Sequence, residues 1–279
     1  MTDLPAVLKI HHLNLSVAKS GQTIPILYDV NLEIHDQEWW AIAGESGAGK
    51  SMTMYALTSL LPEKNTIISG EILYREADGS YTDLLKLPFK DRAAYCSRKV
   101  SLIFQDSINA LNPYERISSQ WQHTLRYRHP EMKKAEQMLH MKTRLRQFGI
   151  PDEQVLRKYP HQLSGGMRQR IAIAMALESD AKILIADEPT TSLDAINQRN
   201  VVDFIQTLCR EQGLTLLYIS HNLALLDEVC THAAILQHGR ILESGSTASV
   251  FHHPLQDYTR TLISETRKLA VSDHSQEAL

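Results

Sequence analysis

The sequence predicts an α/β protein: a mainly parallel sheet, an antiparallel β subdomain ahead of it, and an inserted helical subdomain. Three observations predict it. Apolar runs at 40–43, 100–104, 183–186 and 215–219 lack polar alternation, as strands buried on both faces of a parallel sheet do. Helix-like stretches separate these runs, the pattern of β–α alternation. The opening third differs, because its segments 10–17, 28–34 and 69–74 are punctuated by Gly21, Gly70 and Gly79 and suit an antiparallel sheet.

Taken in order, the run 40–43 leads into Gly44-Glu45-Ser46-Gly47-Ala48-Gly49-Lys50-Ser51, which matches G-x-x-x-x-G-K-[ST] without departure. Glycines let successive backbone N–H groups in such a loop turn toward a phosphate, and a helix starting near Lys50 adds its positive dipole end. The predicted phosphate-binding stretch therefore runs from Gly44 through Met52, with Lys50 reaching the β and γ phosphates and Ser51 a ligand for Mg²⁺. The strand 100–104 ends at Gln105, ahead of a loop. From 112 to 159 the chain turns polar and helix-like, and Ala135, Met138, Leu145 and Phe148 read as a core-facing stripe. Ser164, Gly165 and Gly166 form a second small nest at a helix start, a feature that favours an anion.

The run 183–186 closes on Asp187, whose carboxylate should sit at the carboxyl edge of the sheet and hold Mg²⁺. Glu188 follows at once; adjacent carboxylates repel, so keeping both implies a cation or separate tasks. His221 follows the run 215–219 at the same edge, where a structural histidine is the plainer reading of the residue by itself. Segments 233–236 and 240–243 around His238-Gly239 read as a hairpin. Residues 1–265 are expected to form one domain, with the helical subdomain at about 112–178, and the polar tail 266–279 is expected to fray.

Composition narrows the class. The chain has 279 residues, 43% hydrophobic and 22% charged, with a net charge of −3 that offers no footprint for nucleic acid. No apolar run is long enough to span a bilayer, and the first residues lack a secretion signal. Cys96, Cys209 and Cys230 are too scattered for a metal site and read as reduced thiols. The 13 histidines include His11-His12 and His252-His253, which read as structural because neighbours on a strand face opposite ways.

With Leu163-Ser164-Gly165-Gly166-Met167-Arg168-Gln169-Arg170 lying between the phosphate loop and Asp187-Glu188, the chain resembles the ATP-binding cassette (ABC) family over about residues 7–265. The resemblance implies an ATPase that binds ATP and Mg²⁺ and sandwiches each ATP between two subunits. It implies that Glu188 activates the attacking water, that His221 contacts the γ phosphate and orients acid and water, and that Gln105 senses Mg²⁺ and the γ phosphate. Ser164, Gly165 and Gly166 would grip ATP on the opposite subunit, and Asp194 would lie in a loop crossing that interface.

A finer resemblance rests on Ser107-Ile108-Asn109-Ala110-Leu111-Asn112-Pro113, on His253-Pro254 and on Tyr258-Thr259, which look like the peptide and nickel branch of bacterial importers. That implies two integral membrane permease subunits and a second ABC ATPase subunit, a paralogue or the chain itself. It also implies an extracellular solute-binding protein acting indirectly, no nucleic acid, and a peripheral place on the cytoplasmic face of the inner membrane. The alternative is a soluble ABC-type ATPase of a cytoplasmic enzyme complex such as phosphonate-degrading machinery. Two departures stand out. The position near Val17, where the family stacks an aromatic residue on adenine, is aliphatic, so that either the grip on adenine is weak or Tyr28 or another residue substitutes; and the cysteines of the longer relatives' iron–sulfur cluster are missing.

Overall fold

A computed structural model describes residues 5–19, 21–105, 110–179, 181–190 and 195–276, with the backbone alone for 195–197 and 267–276. Two sheets form the frame. The first is antiparallel and consists of β1 (Ala6–Lys19), β2 (Gln22–His35), β4 (Thr66–Arg75) and β5 (Tyr81–Asp83) in the order β2-β1-β4-β5. The second consists of β3 (Trp39–Ala43), β6 (Val100–Ile103), β7 (Ile183–Asp187), β8 (Thr215–Ile219), β9 (His232–Gln237) and β10 (Arg240–Ser246). Its order is β10-β9-β3-β8-β7-β6, parallel throughout except for the hairpin partner β10.

The second sheet separates two cores, and strand alternation sorts its residues between them. Trp39, Ala41, Leu184, Ala186, Leu216 and Tyr218 join one core. Trp40, Ile42, Ile183, Ile185, Leu217 and Ile219 join the other, beneath the antiparallel sheet. Burial on both faces explains why these strands are apolar without alternation.

Eight α-helices complete the described residues: α1 (Lys50–Thr58), α2 (Phe89–Lys99), α3 (Ile117–Arg128), α4 (Lys134–Gln147), α5 (Gly165–Ala176), α6 (Ala195–Gln212), α7 (Leu223–Val229) and α8 (Asp257–Gln276). Helices α3 to α5 fall within the predicted insertion. On α4 the buried face is Gln137, Met141 and Leu145, with Phe148 just beyond, whereas Ala135 is exposed. The predicted stripe is thus one turn too long at its start. The strand predicted at 100–104 ends at Ile103, leaving Phe104 exposed. The tail predicted to fray is helical through Gln276, as the continuation of α8.

The histidines at 11 and 12 have a structural task. Leu8 and Ile10 are buried, and so are Leu13 and Leu15, which by strict alternation would face the other side. A bulge between Ile10 and Leu13 resets the register, with His12 at φ 50° and its side-chain partner on β2, Asp29, at φ 51°. His12 Nδ1 lies 2.7 Å from Asp29 Oδ1, and Asn14 and Asn31 fill the remaining backbone valences of the bulge. His252 pairs with Asp227 at 2.9 Å.

The turn between β9 and β10 ties the sheets together. His238 and Gly239 both have positive φ, as a two-residue hairpin turn requires. Gly239 accepts from Tyr28 N at 2.8 Å and donates to Ala48 O at 3.0 Å, joining the antiparallel sheet, the hairpin and the loop before α1.

Candidate functional site

Four parallel strands end on one side of the sheet, and the polar residues that follow them meet there. β3 leads into the loop 44–49, β6 into Gln105, β7 ends on Asp187 and leads into Glu188, and β8 leads through Ser220 to His221. Crevices at the carboxyl ends of parallel strands are where α/β sheets bind ligands. Ile26, Ser46, Gly47, Gly49, Lys50 and Ser51 line an open cleft of about 580 Å³ together with Met52, Gln105, Glu188 and His221.

The loop is held tightly at its start. A Cβ on Gly44 would lie 2.2 Å from Leu236 O of β9, and its φ of 148° favours glycine. Lys50 is buried and donates from Nζ to Gly44 O at 2.8 Å and to Glu45 O at 2.9 Å. Burial pushes its pKa down, while the charges of Glu188, Asp187 and Glu45 pull it back up. Ser51 Oγ donates to Asp187 Oδ2 at 3.3 Å. Asp187 is buried as well, and burial pushes its pKa up; the Ser51 hydrogen bond opposes this and the charge of Glu188 adds to it.

Glu188 stands on a strained turn, with φ 44° and its N–H donating to Ile219 O at 2.9 Å. Its carboxylate accepts from Gln105 Nε2 at 3.2 Å and lies 3.4 Å from His221 Nδ1. Three residues singled out separately in the sequence thus converge on one carboxylate. The hydroxyl of Ser51, the carboxylate of Asp187 and the amide oxygen of Gln105 are hard oxygen donors of the kind Mg²⁺ takes, a cation that needs only one or two protein carboxylates.

Ser164, Gly165 and Gly166 do not line this cleft. They open α5, where Ser164 Oγ accepts from Met167 N at 3.3 Å, and they border a separate concavity of about 320 Å³ with Arg170, Asn200 and Phe204. Asp194 and the residues Ser107, Ile108 and Asn109 lie outside the described residues. Val17 packs against the core beneath the antiparallel sheet rather than in the cleft, where Ile26 stands instead. Tyr28 faces another concavity, with Arg240 stacked 5.0 Å from its ring.

Two contacts at the site were not legible beforehand. Gln169, 1% exposed, donates from Nε2 to Pro189 O at 2.8 Å, tying α5 to the residue after Glu188, while its Oε1 has no partner among the described residues. Tyr258, at the start of α8, accepts from Glu45 N at 3.1 Å. Both partners are backbone groups, which carry no mark in the sequence.

Residues 27–191 match the family described as "ABC transporter". The dipeptide transport ATP-binding protein DppD of Bacillus subtilis (strain 168) is 35% identical over 265 residues, covering 94% of this chain and 77% of that protein. The glutathione import ATP-binding protein GsiA of Salmonella choleraesuis (strain SC-B67) is 34% identical over 272 residues, covering 96% of this chain and 44% of that protein. The chain therefore spans less than half the length of the glutathione relative. Among solved structures, cbiO1 from Clostridium perfringens superposes with a TM-score of 0.71 at 24% identity, over 89% of this chain and 92% of that one, a likeness of fold.

Proposed function

We infer, from the premise that this chain belongs to the ABC transporter family, that it is the ATP-hydrolysing subunit of a multisubunit membrane importer. The names of the relatives, dipeptide transport and glutathione import, favour a peptide as cargo over nickel or a related metal complex. They also weigh against a soluble ATPase of a phosphonate-degrading complex. One observation carries the reading: loop 44–49, Lys50, Ser51, Gln105, Glu188 and His221 line a single cleft, with Asp187 bonded to Ser51 at its base.

The backbone N–H groups from Gly47 to Met52 cradle the phosphates, and Lys50, whose ammonium has a third N–H beyond those serving Gly44 and Glu45, reaches the β and γ oxygens while keeping its bond to Gly44. Ser51, Asp187 and Gln105 would hold Mg²⁺, Gln105 through its oxygen since its nitrogen serves Glu188. Such a site would supply positive charge against that developing on the phosphates. Glu188 takes the proton of the attacking water, and its hydrogen bond from Gln105 with His221 beside it fixes the carboxylate in line.

Ser164, Gly165 and Gly166 border a hollow separate from the cleft of their own chain, which supports a sandwich in which they close over ATP held by a second ATPase subunit, a paralogue or another copy. Asp194 belongs to the same seam. Two permeases dock near Gln105 and the helical subdomain, where Phe104 and Tyr114 are exposed, and an extracellular binding protein delivers cargo to them. No helix among the described residues is long and apolar enough to cross a membrane. From the relatives' names as ATP-binding proteins of import systems, we place the subunit peripherally, on the cytoplasmic face.

Replacing the acid tests the assignment. Glu188→Gln should cut ATP hydrolysis at least about 100-fold while leaving ATP affinity within about two-fold, and should accumulate dimer with ATP in size-exclusion chromatography. Turnover at the normal rate would remove Glu188 from its role.

A further inference from the structure

We propose that Tyr258 is a positioning residue for nucleotide binding: its hydroxyl fixes the peptide that carries Lys50's own hydrogen-bond acceptor, so that the start of a C-terminal helix helps set the shape of the phosphate loop. The inference rests on the reading of Lys50 and its loop as the phosphate cradle. Tyr258-Thr259 stood out in the sequence without a task, and nothing in the hydrolytic scheme above uses it.

The geometry centres on one peptide unit. Between Gly44 and Glu45, the N–H donates to Tyr258 Oη at 3.1 Å and the C=O accepts from Lys50 Nζ at 2.8 Å. The two groups belong to one rigid plane, so turning one turns the other. Hydrogen bonds at both ends of an amide also polarise it and strengthen each other. Tyr258 therefore acts on Lys50 without touching it. The plane has little freedom on its other flank, where Gly44 already packs against Leu236 O.

Tyr258 is itself built into place. Glu243 of β10 accepts from Leu255 N at 2.8 Å and from Gln256 N at 3.2 Å, fixing the chain just ahead of α8. Arg260 pairs with Asp257 and donates from NH2 to Leu255 O at 3.0 Å, bracing the first turn. Burial pushes the Tyr258 phenol up from its ordinary value, so the hydroxyl stays neutral across the physiological range. A circuit results: β9 packs on Gly44, β10 holds the start of α8, and α8 returns Tyr258 to Glu45.

Without the hydroxyl, the peptide 44–45 must be ordered when phosphate arrives, a cost that falls on binding. The acid, His221 and Gln105 come from other strands, so the chemical step is spared. The test measures equilibrium binding of ATP and steady-state hydrolysis by the full chain. Tyr258→Phe should raise the Kd and the KM for ATP about five-fold, the worth of one hydrogen bond, with kcat within about two-fold and a Tm lowered by no more than about 2–4 °C. Tyr258→Phe that matches the parent protein while Tyr258→Leu is impaired would mean that only the ring matters, and would overturn the proposal. So would a fall in kcat at constant KM. Lys50→Ala in the same assay keeps the two readings apart. If it loses ATP binding while Tyr258→Phe does not, the positioning role fails and the cradle stands; if it binds ATP normally, the cradle fails and the positioning role with it.

Discussion

At neutral pH, burial works against both charges at the base of the cleft. Asp187 has a folded-state pKa raised above its unfolded value, first by burial. The stability this group contributes is full below its unfolded pKa and is lost as pH rises through the folded value, so at pH 7 the ionised carboxylate is a cost. Lys50 is depressed by burial, and its contribution, present above its unfolded pKa, is lost as pH falls through the folded value. Both charges are poised for a ligand at the expense of the empty fold. Asp187→Asn should therefore raise the Tm of the nucleotide-free chain by about 2–4 °C, the equivalent of roughly 1 kcal/mol, while abolishing hydrolysis. A lowered Tm in a thermal melt would refute this. Glu76 runs the opposite way. Burial raises its pKa, but hydrogen bonds from Lys99 and Tyr95 outweigh this and hold it down to about 2. Its contribution is present above its unfolded value and lost as pH falls toward 2, so Glu76→Gln should lower stability at pH 7 and leave it unchanged in strong acid.

The helical subdomain depends on a buried acid at the scale of its elements. Glu178, just past α5, has a side chain 1% exposed. It accepts from Trp121 Nε1 of α3 at 2.9 Å, pairs with His140 of α4 at 2.7 Å and lies 3.6 Å from Arg144 Nε. Three helices thus converge on one carboxylate, and Ser179 beside it bonds Ser101 of β6 at 2.9 Å. Glu178→Gln should cost about 3 kcal/mol and speed amide exchange in α3 and α4 before the six-stranded sheet responds. Equal exchange in both regions would show that the subdomain does not rely on it. The sequence made the central strands legible because burial on both faces leaves a plain apolar run. It made the cleft legible because Gly44 to Ser51 and Asp187-Glu188 are local in the chain. The bulge at His12 and Asp29 was hidden, since a register slip shows only when partner strands are aligned. Ala135 misled because an alanine fits either face of a helix. The contacts of Tyr258 and Gln169 were hidden because each answers a main-chain atom, 213 residues away for Tyr258 and 20 for Gln169.

At the scale of the whole molecule, the two cores meet across one sheet, and the cleft is assembled from segments of both. Loop 44–49 sits over the core beneath the antiparallel sheet, while Glu188 and His221 follow strands whose side chains divide between the two. The chain also carries its nucleotide cleft and the concavity of Ser164 to Gly166 as separate hollows. Neither core alone could hold this arrangement, and the turn at Gly239 is where the two sheets are pinned. A Cβ there would come within 2.0 Å of Ile26 O and 3.0 Å of the Tyr28 ring. Gly239→Ala should lower the Tm by several degrees and weaken ATP binding in the same variant, although the residue lies outside the cleft. Hairpin tips normally tolerate grafts and inserted tags, but this one behaves as a keystone: an added methyl group would drive into β2 and prise the hairpin from the antiparallel sheet, and a fusion partner belongs elsewhere on the surface.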